Sequence, residues 1–102
     1  MRVIAVFNLK PGISPDEYLT FAKEQDLPTV NALPSIDSFR VFRSTGLLFS
    51  EDAPPFQYIE IIDINDMDRF GQDASTEAMQ VIAAQFQALA DVTFITTEEI
   101  VA

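Results

Sequence analysis

Glu60 sits inside the run Phe56-Gln57-Tyr58-Ile59-Glu60-Ile61-Ile62-Asp63-Ile64. An ionised carboxylate among isoleucines is costly unless it is paired. Arg40 and Arg43, in the stretch Ile36 to Ser44, are its nearest candidate partners, and such a pair would be a structural lock. Unpaired, the same carboxylate could accept an N–H or carry a proton, so it is the candidate catalytic residue. Tyr58 alternates onto the same strand face. It reads either as a core tyrosine with a satisfied hydroxyl or as a ring that stacks on a flat ligand. Asn8 shares a face with Ile4 and Val6. Its amide enters a pocket if that face meets the helices, and otherwise caps the turn before Pro11-Gly12. Tyr18 falls on the apolar stripe of a helix. Asp26, just before Leu27-Pro28, is a helix cap or a group facing the pocket. The candidate ligand-binding residues are therefore Asn8, Tyr18, Asp26, Arg40, Arg43 and Tyr58.

That short list follows from what is missing. The 102 residues contain no histidine, cysteine or tryptophan. Disulfides, thiolate zinc sites, cysteine nucleophiles, the imidazole base and the commonest haem ligand are all excluded. No glycine-rich phosphate loop is present, which argues against a nucleotide cofactor. Asp63, Asp66 and Asp68 lack the spacing and glycine of a calcium loop, and helix capping explains them more simply. No cofactor and no metal are expected. Sixteen acidic residues against six basic ones give a net charge of −10. That field repels nucleic-acid phosphates and anionic lipid. No stretch approaches the roughly 20 apolar residues that span a bilayer, and the run after Met1-Arg2 is too short for a signal-peptide core. The chain reads as one complete cytosolic domain over residues 1–102.

The elements that must position these groups are legible in order. Arg2 to Leu9 is a β-branched strand ended by Pro11-Gly12. Ser14-Pro15-Asp16-Glu17 carries a capping box with proline at the first helical position. Tyr18, Phe21 and Ala22 give that helix its apolar side, and Pro28 should break or kink it near Asp26-Leu27. A short second piece, capped by Asp26, runs through Val30 to Leu33 and ends at Pro34. Ile36 to Ser44 is the second strand. A loop from Thr45 to Pro55 contains an unexpectedly apolar Leu47-Leu48-Phe49. Phe56 to Ile64 is the third strand. Asn65-Asp66 caps a short helical turn through Phe70, closed by Gly71. Ser75 or Thr76 starts the last helix, whose stripe is Met79, Ile82, Ala83, Phe86 and Leu89. Gln85 and Gln87 flank Phe86, and at least one of them should face solvent. Val92 to Thr97 is the fourth strand. The order βαββαβ defines an α+β, ferredoxin-like plan: a four-stranded antiparallel sheet with the helices on one face.

Such a sheet should alternate apolar and polar residues if its second face is wet. The first strand is apolar on both sides, with Val3, Ala5 and Phe7 against Ile4 and Val6. The third sets Ile59 and Ile61 against Tyr58, Ile62 and Ile64. Two helices cover one face only, so a second copy of the chain is the simplest cover for the other. Two sheets packed in this way form a dimeric α+β barrel, and the chain is expected to be a homodimer.

The ordered segments Phe7-Asn8-Leu9-Lys10-Pro11-Gly12, Asp26-Leu27-Pro28-Thr29-Val30, Leu33-Pro34-Ser35-Ile36 and Phe42-Arg43-Ser44-Thr45-Gly46-Leu47-Leu48 resemble the RedY-like (HapK) family. So do Gln57-Tyr58-Ile59-Glu60-Ile61-Ile62-Asp63, Asn65-Asp66-Met67-Asp68 and Ala84-Gln85-Phe86-Gln87. The resemblance spans nearly the whole chain. It implies the dimeric α+β barrel and a setting in prodigiosin-type pigment pathways, near a bipyrrole intermediate or its condensation with a second pyrrole. It assigns no catalytic residue. Three functions are compatible: a cofactor-free biosynthetic enzyme acting on a planar apolar pyrrole compound, a protein that only binds or carries it, and a cofactor-free monooxygenase or haem-degrading enzyme. The missing histidine and tryptophan weigh against the third. In the first, Glu60 would accept a pyrrole N–H or shuttle a proton.

Overall fold

The β-branched run at the start of the chain pairs on both sides, which makes it an inner strand. A computed structural model describes the whole chain, Met1–Ala102. Strand β1 (Arg2–Leu9) leads into α1 (Pro15–Phe21), a wide π-helical turn (Ala22–Asp26) and α2 (Leu27–Asn31). Strands β2 (Ile36–Arg43) and β3 (Tyr58–Ile64) follow, then α3 (Met67–Ala74), α4 (Glu77–Leu89) and β4 (Ala90–Thr96). All neighbours are antiparallel in the order β2-β3-β1-β4. This is the ferredoxin-like sheet, with helices on one face.

Local chemistry sets the helix ends. The Ser14 hydroxyl accepts from the Glu17 N–H at 3.2 Å, while the Glu17 carboxylate accepts from the Ser14 N–H at 3.4 Å. Asp66 caps α3 by accepting from the Arg69 N–H at 3.1 Å, and Thr76 caps α4. Three local expectations are corrected. Pro28 does not break the first helix, although its regular α-helical winding is interrupted by the π-helical turn that ends at Asp26, and Asp26 caps nothing: its backbone is helical and its side chain makes no capping bond. Gly71 does not end α3, which continues to Ala74. A tertiary contact holds that last turn, because the Asp73 carboxylate accepts from the Ser35 hydroxyl at 2.6 Å and from its N–H at 3.2 Å.

Two apolar clusters lie between sheet and helices. One gathers Phe7, Tyr18, Phe21, Tyr58, Ile82 and Phe86; the other gathers Val3, Val30, Ile36, Phe39, Ile62 and Ile64. Asn31 clamps α2 to edge strand β2, donating to Phe39 O at 3.0 Å and accepting from Phe39 N–H at 2.9 Å. On the opposite face Ile4, Val6, Ile59 and Ile61 are only half-buried, and Phe42 and Ile95 are exposed. No helix covers them. The 44–57 connection is exposed as well, with Phe49 at a φ of 59°. No helix is long and apolar enough to cross a membrane.

Candidate functional site

Where the two clusters meet, they leave a cavity of about 130 Å³. Its wall is mostly apolar: Val30 from α2, Phe39 from β2, Ile62 from β3, and Met79, Ile82 and Phe86 from α4 are among the residues that form it. Only two of its lining residues are ionisable, Asp26 and Glu60.

Strand alternation places Glu60. In register it faces Ala5 on one side and Val41 on the other, both on the helix-covered face of the sheet. Helix geometry places Asp26. Tyr18, Ala22, Asp26 and Val30 are all buried at steps of four residues. On a regular α-helix each such step drifts by about 40°, so the fourth would have left the face. The π-helical turn absorbs that drift: the Leu27 N–H donates to Ala22 O, five residues back. Pro28 has no N–H to restore the tighter α-helical bond to Glu24. π-turns of this kind recur at functional sites.

Glu60 is 2 % exposed and Asp26 5 %, and neither is paired with a cation. The ion pairs of the chain are Arg2 with Asp63 at 2.7 Å and Arg69 with Asp73 at 3.4 Å. Burial pushes the Asp26 carboxyl up to about 6. Burial, and secondarily the charge of Asp26, pushes Glu60 up to about 8. At neutral pH the site therefore holds one carboxylic acid and one carboxylate, and the two titrate as a linked pair. Tyr18 is fully buried beside them and its hydroxyl has no hydrogen-bond partner. Burial first, then the charges of Glu60 and Asp26, raise its pKa far above the usual phenol value, so it stays protonated.

The other sequence candidates separate. Tyr58 is buried on the same face as Glu60, but its ring is stacked on Phe7 at 5.3 Å and tilted against Tyr18 at 4.6 Å. It is a wall of the core. The proposed lock between Glu60 and the arginines is absent. Arg40 alternates to the outer face, where its guanidinium lies 5.5 Å from the Phe42 ring. Arg43 is exposed at a shallow groove with Leu19, Lys23, Leu27 and Tyr58, outside the cavity wall. Asn8 is also corrected: the face that meets the helices is that of Val3, Ala5 and Phe7, so Asn8 points away from them. Its amide donates to Pro55 O at 3.2 Å and accepts from Gln57 N–H at 2.9 Å, which ties the 44–57 connection to β1. Phe70, Met79 and Phe94 were not singled out as site residues from sequence, because their apolar side chains look like ordinary core. The signal for Asp26 was there, in the unbroken four-residue spacing from Tyr18 to Val30.

A family model for the REDY-like protein HapK matches residues 1–100. The chain belongs to this family. The family's HapK from Hahella chejuensis has a solved structure that is 26 % identical, covers 100 % of this chain and 95 % of its own, and superposes with a TM-score of 0.77. Two other solved structures share the fold. SnoaB from Streptomyces nogalater, a cofactor-independent oxygenase, is 15 % identical over 97 % of this chain and 93 % of its own, with a TM-score of 0.70. A dimeric ferredoxin-like protein of unknown function from Thermobifida fusca is 20 % identical over 92 % and 85 %, with a TM-score of 0.65. No curated protein sequence matches the chain.

Proposed function

We propose that the chain is a secondary-metabolism protein that moves protons on a planar pyrrole-like compound, in a prodigiosin-type pathway, without a cofactor. The observation that carries this reading is the pair of unpaired carboxyls, Asp26 and Glu60, in one otherwise apolar cavity. A flat ring with an N–H suits it: the apolar faces match the wall, and the N–H has an acceptor in the Asp26 carboxylate. Glu60, protonated at neutral pH, is positioned to donate to an oxygen on the same ring, such as an aldehyde carbonyl being activated for condensation. Membership of the HapK family supports the pathway setting. The test is a titration of the isotope-labelled protein with pyrrole-2-carbaldehyde, followed by NMR. Methyl shifts at Val30, Ile62 and Ile82 are expected. Shifts confined to exposed residues would remove the ligand from this cavity.

The assembly is a homodimer in this reading, closed through the apolar outer face of the sheet. The dimeric neighbour of the same fold supports it. Ile61 stands on that face, on inner strand β3, opposite Ile4 and Arg40. Ile61→Lys would place an ammonium between two apolar sheets, and light scattering should show a monomer where the native chain is a dimer. A native chain that scatters as a folded monomer at micromolar concentration would sink the barrel.

A further inference from the structure

Phe94 lines the cavity and is yet 56 % exposed. A side chain with one surface on the apolar cavity and another in water stands at the mouth between them. Its position in the fold agrees. Strand β4 is an edge of the sheet, and Phe94 faces the helix side there, in register with the small side chain of Ala5. Asp26, Val30, Phe39, Glu60, Ile62, Ile82 and Phe86 of the lining are buried, whereas Phe94 is the large aromatic side chain among them with water along one flank.

Cavity volume bears on the same point. Ligand sites for drug-sized molecules run from about 300 Å³ upward, whereas an apolar cavity of about 150 Å³ takes one benzene ring. The space between Asp26, Glu60 and the apolar wall is about 130 Å³. It holds one five- or six-membered ring, so a second linked ring has to extend past the mouth where Phe94 stands. The cheapest enlargement is at Phe94, because swinging or trimming an aromatic ring at the solvent boundary disturbs no packed neighbour behind it.

We infer that Phe94 is the size-selecting residue of this site, and that with Phe94 at its mouth the cavity takes a single-ring substrate rather than a two-ring one. The inference rests on the pyrrole reading for its ligand and on geometry alone for its size limit.

The experiment separates the two. Dissociation constants are measured by NMR titration for two pairs of probes, pyrrole-2-carbaldehyde with 2,2′-bipyrrole-5-carbaldehyde, and thiophene with 2,2′-bithiophene. The second pair keeps the shapes and removes the N–H. The native protein should prefer the single ring of each pair by about tenfold or more, and Phe94→Ala should bring the two-ring probe to within about threefold of it. Phe94→Leu, which keeps apolar bulk, should fall between. Native-like amide spectra of both variants show that the change is local. A size preference that survives Phe94→Ala undiminished, or a native protein that takes two-ring probes as readily as single rings, overturns the assignment of Phe94. A size step seen with the thiophenes while neither pyrrole binds upholds Phe94 and overturns the pyrrole reading instead. Absence of binding by all four probes overturns both.

Discussion

Glu60→Gln should abolish proton transfer while leaving the ligand bound. Glutamine keeps the shape and neutrality of the protonated acid that Glu60 is at pH 7, so the apolar wall and the affinity for a flat ring should be nearly unchanged. What disappears is the transferable proton. General acid–base groups contribute on the order of 10²–10⁴ in rate, and a loss of that size in kcat with KM nearly constant is the expected outcome of a condensation assay with pyrrole aldehyde. The pH profile gives a second reading. With Asp26 as base at about 6 and Glu60 as acid at about 8, the native rate should be bell-shaped with its maximum between those values. Residual activity of Glu60→Gln should lose the alkaline limb, and that of Asp26→Asn the acidic one. Undiminished turnover by Glu60→Gln would leave Glu60 a buried structural acid and turn the protein into a binder or carrier.

The same two groups should make the fold less stable as pH rises. Both folded-state pKa values lie above the ordinary carboxylate values of 3.8 and 4.5, at about 6 for Asp26 and about 8 for Glu60. Between the ordinary and the raised value, the folded chain holds a proton that the unfolded chain has released. Stability therefore falls with rising pH across that window and levels off above it. Full stabilisation lies below about pH 4, and the Glu60 contribution is lost between about pH 4.5 and pH 8. At about 1.4 kcal/mol per unit, Glu60 alone accounts for a few kcal/mol, a large part of the 5–15 kcal/mol typical of a domain. Melting temperatures recorded from pH 5 to pH 9 should drop by about 10 °C or more. The net charge of −10 acts in the same direction. Glu60→Gln isolates the buried term: its melting temperature should match the native one near pH 5 and exceed it near pH 8. Parallel curves for the two proteins would mean that Glu60 is ionised or solvated in the folded chain.

Much of the fold was legible because it depends on patterns that are local in sequence. The Ser14-Pro15-Asp16-Glu17 start, the Asp66 cap and the β-branched runs of β1 and β3 each specify their element through bonds made within a few residues. The two-sided apolarity of Val3-Ile4-Ala5-Val6-Phe7 told in advance that the helices would leave one apolar face of the sheet uncovered. Errors fell where distant groups override a local preference. Gly71 has the chemistry of a helix end, but Ser35 holds Asp73 and the helix runs past it. Asp26 has the chemistry of a cap, but Pro28 and the π-turn direct it inward, so of its two readings the one facing the pocket holds.

From its composition the chain had no histidine or cysteine with which to do chemistry, so carboxylates, tyrosines, arginines and amides were the polar tools left. From its strand pattern it had Glu60 inside a sheet. Which face of β1 meets the helices could not be read from β1, since both of its faces are apolar. That choice turned Asn8 outward and left Glu60 without an arginine. Only the packing of α2 and α4 over the sheet brought Asp26 to the same cavity as Glu60, because two carboxyls 34 positions apart share a desolvated space through tertiary contact alone. Their raised pKa values are a property of that space and of no sequence segment.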